Sequence, residues 1–163
     1  RTTRGNIGAL RHSIVFTQLP RNFQDAITVT RGLKVRYVWI DSLCIIQDDV
    51  DDWYNESAKM ERIFSEAYCT IGAASAQSSI EGFLSRGAPR PCVRLLSPDT
   101  GTLFVCPWID DFHRDVEMGP LNSRGWVLQE RALSRRTIFY TSAQVYWECG
   151  MGVHCETLTR LKK

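Results

Sequence analysis

No run in this chain approaches the roughly 18 consecutive apolar residues of a membrane-spanning helix. Its opening, "RTTRGN", lacks the apolar core of a signal peptide. Neither sign of charge dominates, since 20 Lys and Arg against 18 Asp and Glu leave a net +2. That balance points neither to nucleic acid nor to an anionic membrane surface. Histidine is scarce, and His12, His113 and His154 are scattered, so no Ser–His–Asp or Cys–His arrangement can be read. There is no CxxC pair, no repeat and no low-complexity tract. The glycine-rich phosphate loop of nucleotide-binding folds is missing too, because "GMG" is isolated and follows a strand of a hairpin. The chain does not open on methionine, which reads as a fragment of a longer protein.

What remains is 163 residues that are 44% hydrophobic, enough for one good core, so residues 1–163 read as a single domain. Six cysteines are present, and Cys44, Cys69 and Cys106 sit inside apolar runs, where a free cysteine behaves as a small hydrophobe. Reduced thiols and a reducing compartment are the expectation. "CGMGVHC" (Cys149, His154, Cys155) has metal-ligand residue types but no partnering motif, and no metal site is expected.

Along the chain, "HSIVFTQLP" offers a short extended piece, Ser13 to Thr17, and then Pro20 near a helix start. Phe23, Ala26, Ile27 and Val29 fall near one helical face, and Gly32 is a natural stop. "VRYVWID" carries β-branched and aromatic residues with apolar side chains on both faces, as a strand covered by helices on both sides does. After four aspartates (Asp48, Asp49, Asp51, Asp52) comes a helix from about Asp52 to Tyr68, capped by Asp51 or Asp52. "CTIGAAS" is a second short strand. This alternation predicts an α/β fold with a largely parallel sheet. Beyond the break "GAPRP", "TLFVCPW" reads as a strand and "GWVLQERAL" as a short helix. "RTIFYT" and "QVYWEC" form a hairpin around Ser142 and Ala143.

Glu56 is the residue out of pattern. Trp53, Met60, Ile63, Phe64 and Ala67 make an apolar stripe at helical spacing, and Glu56 falls inside it. A carboxylate there loses hydration, which raises its pKa unless cations or donors compensate. It either pairs with an arginine or a backbone amide, snorkels outward, or lines a ligand site. In open α/β sheets ligands collect at the carboxyl ends of strands. Asp41 and Ser42 end one strand, Ser75, Gln77 and Ser78 follow the next, and Glu56 starts the helix between them.

The stretch "LPRNFQDAITVTRGLKVRYVWIDSLCIIQDDVDDWYNESAKMERIFSEAYCTIGAASAQSSIEGFLSR" (19–86) resembles the core of the fungal heterokaryon incompatibility (HET) domain. "LNSRGWVLQERALSRRTIFYTSAQVYWEC" (121–149), with its RGW, QER and LS series, resembles that family's later block. The resemblance implies a cytoplasmic module of fungal non-self recognition whose activation triggers cell death, working with sensing domains of the same or a partner protein. The family's usual opening strand, roughly A-L-S-Y-x-W-G, has no counterpart here. HET domains have also been proposed as distant relatives of TIR domains, which implies a flavodoxin-like sheet flanked by helices, extended here by the C-terminal hairpin.

Several TIR domains hydrolyse NAD⁺ through a glutamate in a W-x-x-E context, which Trp53 and Glu56 reproduce. On that analogy Glu56 is the catalytic candidate, NAD⁺ is the substrate rather than a cofactor, and the bond cut joins nicotinamide to ribose through an oxocarbenium-like transition state. Asp41, Ser42, Trp53, Ser75 and Arg124 are the substrate-binding candidates. Asp41 either positions a ribose or caps its own loop. Arg124, Arg131, Arg135 and Arg136 form a basic cluster that either meets a pyrophosphate or pairs with the aspartate-rich loop. The alternative to an enzyme is a non-catalytic signalling module that acts by self-association, as a homo-oligomer, and by recruitment of partners.

Overall fold

The computed structural model describes residues 1–76, 78–85, 91–97, 101–123 and 125–161. Its first part is helical. Helix α1 (Ile7–His12) and a 3₁₀ turn (Phe16–Gln18) lead to α2 (Arg21–Gly32). Pro20 stands at the N-cap of α2, where its fixed φ and missing N–H cost nothing. The polar face of this helix buries Asp25, whose Oδ2 accepts from the backbone N–H groups of Phe83 and Leu84 at 2.7 and 3.1 Å.

Residues 36–40 follow outside any helix or ladder, with Ile40 in the extended region, and α3 (Asp41–Cys44) starts where a strand was expected to end. "VRYVWID" has the composition of a central strand, but a strand needs a neighbour, and none lies beside it among the described residues. The expected long helix is two helices, α4 (Val50–Ser57) and α5 (Met60–Glu66), separated at Ala58 and Lys59. The cap is Asp49 rather than Asp51 or Asp52, and its Oδ1 accepts from both of their amides at 3.2 and 3.1 Å. Asp52 instead accepts from the amide of Ile46 at 2.7 Å. Because the helix breaks, the apolar stripe is not continuous. Phe64 is buried against Trp39 (ring centroids 5.8 Å), whereas Trp53 is 43% exposed.

Strand β1 (Thr70–Gly72) opens the sheet. Strands β2 (Val93–Ser97) and β3 (Gly101–Val105) form a separate antiparallel ribbon, clasped by a disulfide between Cys92 and Cys106 whose Cα atoms are 4.5 Å apart. The expectation of reduced thiols fails for this pair. Register Val93 to Val105 continues the ladder to Cys92 and Cys106, and cross-strand neighbours at that separation can bond. The "GAPRP" break, Pro91 apart, lies outside the described residues.

A π-helical turn (His113–Glu117) and a 3₁₀ turn (Pro120–Ser123) precede α6 (Gly125–Leu133). Then come β4 (Arg136–Tyr140), β5 (Val145–Cys149), β6 (Gly152–Cys155) and β7 (Arg160–Leu161). The sheet order is β1-β4-β5-β6-β7. Only β1 and β4 run parallel, so the sheet is mixed and mostly antiparallel, not largely parallel as expected. "CGMGVHC" is the tight β5–β6 turn: Cys149 pairs with Gly152, which takes the turn with φ of +115°.

The core lies on one face of this sheet. Phe139, Tyr146 and Cys155 form a row across β4, β5 and β6, and Val153 joins them. Phe112 and Val116 close the row from the loop above, with Phe112 edge-on to Phe139 and Tyr146. Gly72 is required here, since a Cβ would stand 2.6 Å from the Phe139 ring. The same face buries a charge. Glu148 is 6% exposed and receives both Nε and a terminal nitrogen of Arg131 at 2.8 Å. The Arg131 guanidinium also lies over Phe112 and Phe139, 5.2 and 5.7 Å from their ring centres.

Candidate functional site

The aspartate-rich junction is held by backbone and by Arg4. The amide of Arg4 donates to Asp48 at 2.8 Å and its side chain to Asp49 at 3.0 Å. That contact holds the Asp49 carboxyl below its usual range, helped by the amides of Asp52 and Asp51. The basic cluster does other work. Arg131 is committed to Glu148 and to Glu117 (3.3 Å), while Arg136 lies over the Tyr68 ring at 5.4 Å. Neither arginine pairs with the aspartate-rich loop among the described residues. Arg124 and Gln77 lie outside the described residues.

Asp41 and Glu56 both act electrostatically on Cys44. Asp41 opens α3 and accepts from the Ser42 amide at 2.6 Å, which is the loop-capping role. Ser42 in turn accepts, through its carbonyl, from the amide of the buried Thr2 at 2.8 Å. Glu56 lies in the last turn of α4, half-buried, while Trp53 and Tyr54 beside it are exposed. Both carboxylates act on the thiol of Cys44. Burial raises the pKa of that thiol most, and the charges of Glu56 and Asp41 raise it further, against one backbone contact from Ile40. A thiol so placed favours its protonated form.

The cation at the site is Lys59, whose Nζ donates to Glu56 Oε1 at 2.6 Å. Its side chain is 59% exposed and that of Glu56 is 23% exposed. A half-exposed i, i+3 pair of this kind is worth about 0–1 kcal/mol, so a cationic ligand can replace the ammonium at little cost. This differs from Arg131–Glu148, where the carboxylate is buried and the contact is bidentate. Trp53 meets Tyr54 edge-on at 5.3 Å and keeps an open face. Ser75 belongs elsewhere: its amide donates to Tyr140 at 2.9 Å, and its Oγ is buried with no partner among the described residues. Among the described residues no hydrogen bond or ion pair joins Ser75 to Glu56. Among the described residues no three His, Cys, Asp or Glu side chains are grouped to hold a metal ion, and no helix is long and apolar enough to cross a membrane.

The sequence reading missed the polar layer beneath the sheet. Tyr146 Oη donates to Asp115 at 2.7 Å, and Gln144 and Thr157 donate to Asp110 at 2.9 and 2.8 Å. The signal was available in β5, where Tyr146 and Glu148 are two apart and share the inward face.

Helices enclosing a mixed sheet, with an acidic edge on the helical side, define an α/β domain whose reactive-looking groups lie apart from its core. Residues 4–130 match the family described as heterokaryon incompatibility protein (HET), and the chain belongs to that family. The matched span takes in α2 to α5 and stops within α6, ahead of β4 to β7. No curated protein and no solved structure matches the chain.

Proposed function

We propose that this chain is a cell-death effector of non-self recognition, acting in the cytoplasm under the control of sensing domains, and that it hydrolyses the N-glycosidic bond of NAD⁺. The observation that carries the catalytic part is the position of Glu56. It is a half-buried carboxylate in α4, paired to an exposed lysine, and its charge, like that of Asp41, acts on the Cys44 thiol. Family membership supports the biological part.

In this reading the nicotinamide ribose enters against Glu56 and displaces Lys59. The bond breaks with its electron pair leaving on neutral nicotinamide, the positive charge that develops on the ribose is stabilised by the carboxylate, and water adds to that carbon and loses a proton. Asp41 orients a ribose hydroxyl, with its second oxygen held by the Ser42 amide. Trp53 offers its open face to an aromatic ring. No cofactor or metal enters the scheme. A remote kinship with TIR domains is part of this reading, and it leans on the W-x-x-E spacing of Trp53 and Glu56.

The test is expression in yeast of the wild type and of Glu56→Gln, following viability and cellular NAD⁺. Wild type lowers NAD⁺ and kills, whereas Glu56→Gln accumulates, keeps its circular dichroism spectrum and does neither. Killing with NAD⁺ unchanged defeats the enzymatic part and leaves the non-catalytic signalling module.

A further inference from the structure

The β2–β3 ribbon is not absorbed by any of this. The register that pairs Val93 with Val105 continues to Cys92 and Cys106, and one step further it sets Pro91 opposite Pro107. Proline has no N–H to give a ladder, so the pairing ends there. The disulfide therefore sits at the last pair of the ribbon's open end, with its Cα atoms 4.5 Å apart. That is the spacing of a directly opposite pair that exchanges no backbone hydrogen bond. The covalent link is what closes this end.

Little else supports the ribbon. Every one of its residues whose side-chain burial is described is exposed, including Val93 (61%), Leu96 (76%) and Val105 (54%). A two-stranded ribbon whose side chains stay in water is marginal by itself. The chain on either side of it is anchored. Upstream, the amides of Phe83 and Leu84 donate to Asp25. Downstream, the Ile109 carbonyl accepts from Gln144 Nε2 at 3.1 Å and from Tyr146 Oη at 3.2 Å. Opening the ribbon therefore leaves the sheet and its core in place. Cys92 and Cys106 are themselves exposed, so small thiols and disulfides reach their sulfurs.

We propose that Cys92 and Cys106 form a reversible redox switch that orders the β2–β3 ribbon. With both thiols reduced, the ribbon opens from its proline end and its ladder amides exchange with water. A low-molecular-weight disulfide such as oxidised glutathione closes it in two steps. One cysteine thiolate attacks the small disulfide and expels a glutathione thiolate. The other cysteine then attacks the protein sulfur of the mixed disulfide and expels the second. Two electrons and two protons pass from the cysteine pair to the two glutathione molecules, and two glutathione thiols run the exchange backwards. The inference does not rest on NAD⁺ hydrolysis and stands whether or not Glu56 is catalytic.

The 163-residue chain equilibrated in glutathione buffers of graded potential tests it. Alkylation with mass spectrometry reads the thiols, and hydrogen exchange reads the ribbon. Cys92 and Cys106 convert together, from two thiols to one disulfide, within the range of the buffers. In the disulfide form the ladder amides of residues 93–97 and 101–105 exchange about a hundredfold more slowly, the effect of closing a loop over a sequence separation of 14. Amides of β4 and β5 exchange alike in both forms. Cys92→Ser and Cys106→Ser keep the reduced rate in every buffer. Thiols that stay unpaired in the most oxidising buffer overturn the proposal. So does a disulfide that survives the most reducing one, or a ribbon whose exchange is the same in both states.

Discussion

The sheet end and the acidic edge solve opposite problems with the same residue types. In the sheet, Glu148 is buried and Arg131 half-buried, and the pair is doubly bonded, with the guanidinium over two aromatic rings. At the edge, Lys59 and Glu56 make a shorter contact, 2.6 Å, with both side chains reaching water. Distance alone would rank the second pair higher, but environment reverses the ranking. Removing a bidentate contact to a buried carboxylate costs about 2–3 kcal/mol, whereas an exposed pair contributes about 0–1 kcal/mol. The sheet therefore carries stability, and the edge is free to exchange partners.

The largest effect expected from this contrast is at Arg131. Arg131→Met removes the bidentate contact to the buried Glu148 carboxylate and costs about 2–3 kcal/mol in denaturant unfolding. Adding Glu148→Leu recovers part of the loss, because the carboxylate is then gone as well. If Arg131→Met is neutral, the contrast collapses.

A pH effect comes next. Burial, with Asp110 beside it, pushes the Cys155 thiol up to about 11. The folded chain then holds this proton more tightly than the unfolded chain does. Its contribution is complete below about pH 9 and disappears as pH rises through about 11, costing about 2 kcal/mol. Urea unfolding repeated from pH 8 to 11 measures the decline, and Cys155→Ser flattens it.

At the acidic junction, Asp49→Ala removes the cap of α4 together with an exposed contact to Arg4. It lowers stability by about 1 kcal/mol, read as a small shift of the urea midpoint. A loss as large as that at Arg131 would mean that the edge is structural after all.

Local chemistry was legible wherever it decides structure by itself. Pro20 and Gly32 bound α2 where the spacing put them, and the hairpin around Ser142 and Ala143 forms as read. What failed depends on neighbours. Residues 35–41 have a strand's composition, but composition does not supply a ladder. The stripe from Trp53 to Ala67 implied one helix, but the chain breaks at Ala58 and Lys59, and the polar residues Asp49 and Asp52 divide the capping work differently. Cys106 in an apolar run read as a small hydrophobe until the β2–β3 register set Cys92 across from it. Strands β6 and β7 went unread because "GVHC" is short and drew attention to its ligand-type side chains. Of the candidate site, the half-burial of Glu56 was legible, because a carboxylate in an apolar stripe is a local signal. Trp53 came out exposed because the helix break removed its packing partners, and Ser75 fell to a different part of the molecule.

The division between a stabilising sheet and a reactive edge is tested most directly by Glu56→Gln in the purified chain, read two ways at once: nicotinamide released from NAD⁺, and unfolding free energy. The account predicts release by wild type, none by the variant, and stabilities within about 0.5 kcal/mol of each other. Equal release from both proteins, or a wild type that releases none, contradicts it.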